Sequence, residues 1–457
     1  MPQSSSLTET SPALGSPGKL KTAIAAGAGT LVENYDFLAF GTASALYFGA
    51  AFFPSADPTM GTLLAFLTFG VGFLARPLGG ALGGYFGDKY GRKPVLFTAL
   101  LVMGAATFLI GLLPTYAQIG ILAPIILVVV RLIQGLAYGA EWGGAVMMTF
   151  EHAPWKSKGK YSAIPQAGSP AGIALATVAF LASAQLGNDW AWRVPFLASA
   201  VLVILGLYVR LRLEESPDFE RAKSSGEILK NPVAEVLRKD WRTILRVISL
   251  RLVESCGYYV ISTFLLSRVT AAHPEAKGST LIALLIACLI AIPTILAAGA
   301  ITDRIGRKPL YIIGSLATIV FAFPMFQMTN SGDPLMIIIV FGIGIGLIWS
   351  TFAGVQGSWF GELFPTNTRN SGASLGYQLA ASIAGFSPFL AGSLAAVFGW
   401  VGGSMFYMLI GVIGLTGAVV TRETWGKRER SAIREILDAA ETNVVPRPKA
   451  STATRSK

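Results

Sequence analysis

Two carboxylates three residues apart, Glu33 and Asp36, stand inside a long apolar run, and an arginine, Arg131, stands inside another. At 1.5 Å per helical residue the carboxylates lie about a dozen or more residues in, and Arg131 lies roughly 18 Å from the end of its run. A spacing of three puts Glu33 and Asp36 on one helix face, shared by Phe37 and Phe40; Gln134, Gly135 and Tyr138 continue the face of Arg131. Burial disfavours a charged carboxylate and a neighbouring guanidinium favours it. A carboxylate held between the two influences can take or release a proton as the guanidinium leaves or returns. The expected chemistry is proton exchange linked to the movement of a cation. The alternative is a permanent structural ion pair.

A third polar stripe is Arg251, Glu254 and Tyr258, spaced i, i+3, i+7. It is either part of a solute site or an intrahelical pair. Later apolar runs add Trp349 with Gln356 and Tyr377 with Gln378, where an aromatic serves packing or ligand contact. Arg76 precedes Pro77; it either faces a cavity or is satisfied by backbone groups that the proline frees, and the structural reading is preferred. Arg268 either snorkels to an interface or widens a positive vestibule. His152 and His273 are far apart, Cys256 and Cys288 both lie in apolar runs, and there is no Cys/His cluster. Neither a metal site nor a disulfide framework is expected. No Gly-x4-Gly-Lys-[Ser/Thr] occurs, so no ATP-driven machinery is expected.

The elements that must position these groups are membrane helices. Hydrophobic residues make up 53% of the 457 and charged residues 13%, against about 25% charged in a soluble domain. Twelve apolar runs are long enough to cross about 30 Å of hydrocarbon, at 22–50, 60–87, 94–113, 119–150, 160–186, 192–212, 243–270, 279–302, 309–328, 334–361, 371–397 and 401–421. Backbone in lipid must bond to itself, so these are helices, and their length and lack of alternation exclude a β-barrel. The net charge of +11 does not mark a nucleic-acid surface, because the basic residues are dispersed over short loops and the two ends. Lys89, Arg92, Lys93, Lys156, Lys158, Lys160, Arg304, Arg307, Lys308 and Arg369 fall on one side; Arg193, Lys277 and Arg268 fall on the other. The first side is the cytoplasmic one, and both termini lie there. The first twenty residues are polar and rich in Ser and Pro, with no signal peptide.

The chain repeats itself. Gly84-Tyr-Phe-Gly-Asp88-Lys89-Tyr-Gly91-Arg92-Lys93 returns 215 residues on as Gly299-Ala-Ile-Thr-Asp303-Arg304-Ile-Gly306-Arg307-Lys308, and Glu151-His-Ala-Pro154 returns 211 residues on as Glu362-Leu-Phe-Pro365. Two similar halves are the natural cause. The expected division is a disordered cytoplasmic N-terminus over 1–20, a six-helix half over 21–212, a cytoplasmic linker over 213–242, a second six-helix half over 243–422 and a cytoplasmic tail over 423–457. The tail has no sustained heptads, so no coiled coil is expected; one short amphipathic helix is expected around 429–441.

Two six-helix halves with Gly-x3-Asp-[Arg/Lys]-x-Gly-Arg-[Arg/Lys] after helices 2 and 8 resemble the major facilitator superfamily. Glu33-Asn-Tyr-Asp-Phe, Phe73-Leu-Ala-Arg-Pro-Leu-Gly-Gly, Arg131-Leu-Ile-Gln-Gly-Leu-Ala-Tyr-Gly-Ala-Glu-Trp-Gly-Gly and Glu362-Leu-Phe-Pro-Thr-Asn-Thr-Arg-Asn-Ser-Gly resemble its metabolite:proton symporters, over about residues 20–425. The resemblance implies an all-α membrane protein of twelve helices in two pseudo-symmetric halves. It implies proton-coupled uptake of a small organic acid of the shikimate or 2-oxoglutarate kind by alternating access. The alternatives are a proline or betaine osmolyte, an aromatic acid, and a passive facilitator. Asp36, Glu33 and Arg131 are then the proton-coupling residues. Arg131, Gln134, Tyr138, Arg251, Glu254, Tyr258, Gln356 and Tyr377 are the solute-binding residues. Asp88, Arg92, Glu151, Asp303, Arg307, Glu362 and Arg369 are the cytoplasmic gate, in which the aspartates cap a neighbouring helix, Arg92 meets Glu151 and Arg307 meets Glu362. The basic loop residues alternatively serve topology alone. No cofactor beyond the proton gradient, no enzyme activity and a monomer in the plasma or inner membrane are expected.

Overall fold

The computed structural model describes residues 17–54, 57–90, 92–140, 149–150, 153, 157–211, 232–365 and 368–425; at 17–26, 28, 84, 87–90, 92–93, 188, 209–211, 232–235 and 370 it describes the backbone alone. Twelve long helices account for nearly all of it, and no strand occurs among the described residues.

In the first half, α1 is Pro17–Ala43, continued by a π turn at Ser44–Phe48 and by Gly49–Phe52. Helix α2 is Pro58–Leu74 followed by Arg76–Tyr90, α3 is Arg92–Leu112, α4 is Leu122–Gly139, α5 is Lys158–Ser183 and α6 is Arg193–Leu211. In the second half, α7 is Trp241–Tyr259 with a π turn at Val260–Leu265 and a last piece at Leu266–Ala272. Helix α8 is Lys277–Ile305 and α9 is Lys308–Thr329. Helix α10 runs Pro334–Phe341, then a π turn at Gly342–Trp349, then Ser350–Leu363. Helix α11 runs Arg369–Ala384 and Ser387–Phe398, and α12 is Trp400–Val420. Part of the expected fourth run, 141–148, and the expected tail helix at 429–441 lie outside the described residues. Within the expected linker, 213–231 also lies outside them, while Pro232–Lys239 is a short helix leading into α7.

Among the described residues, ten of the twelve helices are long and apolar enough to cross a membrane by composition. The two that fall short are α1 and α7, which carry Glu33 with Asp36 and Arg251 with Glu254. These two also share a backbone irregularity: their π turns begin at Ser44 and Val260, 216 residues apart, nearly the offset of the repeated loop sentence. A π turn inserts an extra residue and is often found at functional positions.

The halves meet along α5 with α8 and along α2 with α11, with α1 and α7 touching at their π turns. Glycine lets α5 and α8 close up, because a Cβ on Gly159 would lie 2.3 Å from the Gly299 carbonyl oxygen. Within the first half, a Cβ on Gly135 of α4 would lie 1.9 Å from the Gly72 carbonyl oxygen of α2.

Helix α2 breaks at Ala75. Pro77 has no N–H to give to the Phe73 carbonyl four residues back. That carbonyl instead accepts from the Ser382 hydroxyl of α11, at 2.9 Å. The proline therefore ties one half to the other, and the expectation that Arg76 absorbs the freed backbone group is replaced by this contact.

Candidate functional site

A central cavity of about 40 Å³ lies between the halves. Helix α1 presents Thr30 and Asn34, α2 presents Arg76, α4 presents Tyr138, and α5 presents Gln166 and Ser169. From the other half come Arg251, Glu254, Ser255, Tyr258 and Tyr259 of α7, Trp349, Ala353 and Gln356 of α10, and Tyr377 of α11.

The second half supplies a closed polar network. Arg251 pairs with Glu254 one turn on, and its Nη1 also donates to Gln356 Oε1 at 2.9 Å. Its Nη2 donates to the Tyr377 hydroxyl, and its guanidinium carbon lies 3.8 Å from the Tyr377 ring centroid. Glu254 accepts in addition from Ser255 at 2.9 Å and from Trp349 Nε1 at 3.0 Å. The stripe is thus both an ion pair and part of the cavity wall. The Tyr258 hydroxyl makes no hydrogen bond.

The first half is arranged differently. Arg131 is fully buried among phenyl rings, 4.5 Å from the Phe37 centroid, 4.2 Å from Phe40 and 5.3 Å from Phe69. Gly72 makes the space, since a Cβ there would come 2.6 Å from Arg131 Nε. Arg131 Nη1 donates to Gln134 Oε1 at 2.6 Å, and Gln134 Nε2 donates to Thr107 Oγ1 at 2.7 Å. Asp36 is also fully buried, and neither of its carboxylate oxygens has a hydrogen-bond partner; nor do Nε and Nη2 of Arg131. The ion pair that their depth invites is not made in this conformation. Glu33 is buried one turn earlier on α1.

Of the eight expected solute-binding residues, Tyr138, Arg251, Glu254, Tyr258, Gln356 and Tyr377 line the cavity, while Arg131 and Gln134 lie behind its wall. Sequence reasoning passed over Asn34, Gln166, Ser169 and Tyr259. Ser169 Oγ donates to Asn34 Oδ1 at 2.7 Å, joining α5 to α1 beside the cavity. The available signal was the i, i+3 spacing of Gln166 and Ser169. Gln378 is buried with neither side-chain polar atom bonded, and Arg268 donates to Asn330 Oδ1 at 2.5 Å.

At one end of the bundle the Asp303 carboxylate crosses between the halves. It accepts from the backbone N–H groups of Gly159 at 2.8 Å and Lys160 at 2.9 Å, at the start of α5. Both are orphan donors of a helix N-terminus, where a carboxylate is favoured. Arg307, fully buried, donates to Glu362 Oε1 at 2.9 Å and to the Thr302 carbonyl at 2.6 Å, and lies 3.3 Å from Asp303. Glu362 also accepts from Thr424. Arg369 lies over the Phe150 ring at 5.3 Å. Glu151 and the side chains of Asp88 and Arg92 lie outside the described residues. At the other end the halves also touch, with Lys277 Nζ of α8 4.1 Å above the Tyr47 ring of α1.

An Asp303→Ala variant is expected to lose a cap worth about 0.5–2 kcal/mol. Closure at that end should weaken by a factor between about two and thirty. With cavity residue Ala353 replaced by cysteine, labelling by a membrane-impermeant thiol reagent from that end should quicken; an unaltered rate would remove Asp303 from closure.

The family profile for the Major Facilitator Superfamily matches residues 38–386. The inner membrane metabolite transport protein YhjE of Escherichia coli K12 is 37% identical over 415 residues, covering 88% of this chain and 94% of that protein. The shikimate transporter of the same organism is 40% identical over 388 residues, covering 83% and 88%. A proline/betaine transporter of Salmonella typhimurium is 35% identical over 449 residues, covering 94% and 88%. Among solved structures, the Escherichia coli xylose transporter XylE in a partially occluded inward-open conformation superposes with a TM-score of 0.69 at 21% identity, over 90% of this chain and all of that one. That likeness speaks for the fold.

Proposed function

Because this chain belongs to the Major Facilitator Superfamily, a family of membrane transporters and not of enzymes, we propose that it is a proton-coupled importer of a small organic acid. The observation that carries the proposal is Asp36: a carboxylate fully buried in a membrane helix, with both oxygens unbonded, beside a helix whose buried Arg131 keeps two unbonded nitrogens. Ionisable groups at that depth are costly and mark ion or proton pathways. Arg131 brought alongside would favour the carboxylate, and Arg131 withdrawn would favour the neutral acid. The two arrangements are the loaded and discharged states of a proton carrier. Glu33, on the same face one turn away, extends the carboxylate stripe toward the cytoplasm.

The solute site is the central cavity. Two guanidiniums, Arg76 and Arg251, and one carboxylate, Glu254, line it, which favours an anion. Its volume is about 40 Å³, small for an organic acid. The halves must therefore part to admit an organic acid, as alternating access requires. Asp303, Arg307, Glu362 and Arg369 form the closure at the cytoplasmic end, with Asp88, Arg92 and Glu151 as their first-half counterparts by the repeat. The protein acts as a monomer with both termini cytoplasmic, needing neither ATP nor a cofactor. The second reading, an osmolyte carrier, draws on the proline/betaine relative.

The test is uptake into proteoliposomes of shikimate, 2-oxoglutarate, citrate, protocatechuate, proline and betaine, with and without an imposed inward proton gradient. Gradient-driven accumulation of an acid is expected. Accumulation of proline or betaine alone selects the osmolyte reading, and equilibration without accumulation selects a facilitator.

A further inference from the structure

The cavity's two arginines are not equivalent. Arg251 is already held by Glu254, Gln356 and Tyr377. Arg76 is stacked instead: its guanidinium carbon lies 4.0 Å from the Phe37 ring centroid, 3.8 Å from Phe73 and 3.9 Å from Tyr138. It is 2% exposed, its Nε makes no hydrogen bond, and it borders the cavity. The backbone carbonyl that Pro77 frees, the obvious sink for its donors, is bonded to Ser382. Ring faces attract a guanidinium but leave its in-plane N–H donors available. A planar fork fixed by aromatic faces is pre-organised for bidentate carboxylate binding.

The geometry points to Arg76 as the residue that binds the carboxylate of the transported acid. This rests on the organic-acid reading above and narrows it: the acid is a monocarboxylate. With Arg251 and Glu254 paired to each other, one guanidinium remains to meet one carboxylate. The opposite wall, with Trp349 and the unbonded Tyr258 hydroxyl, suits a hydroxylated ring. Arg131 shares two rings with Arg76, lying 4.5 Å from Phe37 and 5.8 Å from Phe73. An acid bound to Arg76 therefore sets its negative charge beside the cage that also holds Arg131, and through it alters the setting of Asp36.

The experiment measures binding by quenching of tryptophan fluorescence, Trp349 being in the wall, together with uptake kinetics, using shikimate and its neutral amide as probes. Arg76→Gln should raise the shikimate Kd and KM about 30-fold or more. Arg76→Lys, which keeps the charge but loses the fork, should fall between. The wild-type protein should bind the amide at least about tenfold more weakly than the acid, a comparison that needs no variant to fold. Wild-type affinity in Arg76→Gln, lost rate at unchanged KM, or equal affinity for acid and amide each overturns the assignment. If the wild-type protein binds shikimate and Arg76→Gln binds it equally well, Arg76 alone falls; if the wild-type protein binds and transports no organic acid, the reading of the site falls with it.

Discussion

Asp36→Asn should abolish accumulation against a gradient while leaving solute counterflow measurable. One pH unit is worth about 1.4 kcal/mol, or tenfold accumulation per coupled proton. In the variant that ratio should collapse to simple equilibration. The reasoning is local. Asp36 is fully buried with unbonded oxygens, and an asparagine of nearly the same shape mimics the neutral acid in every step. The variant is locked in the loaded form: it can exchange solute for solute, which needs no proton release, but it cannot complete a cycle that discharges one. Undiminished accumulation would remove Asp36 from coupling. Loss of counterflow together with accumulation would show a structural part instead.

Arg307→Ala should destabilise the folded protein by about 3–5 kcal/mol, the usual consequence of stripping one partner from a buried ion pair. The residue is fully buried and its Nη2 lies 2.9 Å from Glu362 Oε1, so the loss leaves that carboxylate with Thr424 as its hydrogen-bond partner. The detergent-solubilised variant should unfold several degrees lower at a fixed heating rate. Arg307→Met combined with Glu362→Gln should recover much of the loss, because Glu362 then carries no bare charge and Asp303 keeps the N–H groups of Gly159 and Lys160. A melting point unchanged in Arg307→Ala would mean that the pair carries no net stability; a double variant as unstable as the single one would place the loss in packing.

How much of this was legible beforehand depends on what a linear pattern encodes. Position along a helix is readable, since 1.5 Å per residue converts residue number to distance along the axis; that Asp36, Arg131 and Arg251 are buried against protein is a separate finding. Rotation about the helix axis is not readable. In a soluble helix the polar face reveals it, but here lipid and protein neighbours are equally apolar. Arg131 therefore read as a cavity residue, yet it points among phenyl rings behind the wall. For Arg76 a cavity-facing and a structural reading both stood, and Pro77 tipped the preference to the structural one by offering a local explanation; the carbonyl in question is bonded to a serine 309 residues away. The π turns of α1, α7 and α10 left no pattern in the sequence, although each shifts the rotation of every residue beyond it. The repeat was the most dependable signal, because two copies of Asp-[Arg/Lys]-x-Gly-Arg in register constrain each other in a way that one copy cannot.

Ser382 has two carbonyls within reach, Phe73 of α2 at 2.9 Å and its own Gln378 at 3.0 Å, and one proton to give. When α2 and α11 separate, the hydroxyl loses nothing, for it keeps the acceptor on its own helix. The Phe73 carbonyl keeps the Ala75 N–H on its own helix, and water entering the widened gap can replace the serine. The joint between the halves is therefore a slip contact, firm when closed and inexpensive to release. A proline in one half and a serine in the other make it, and neither helix could make it alone.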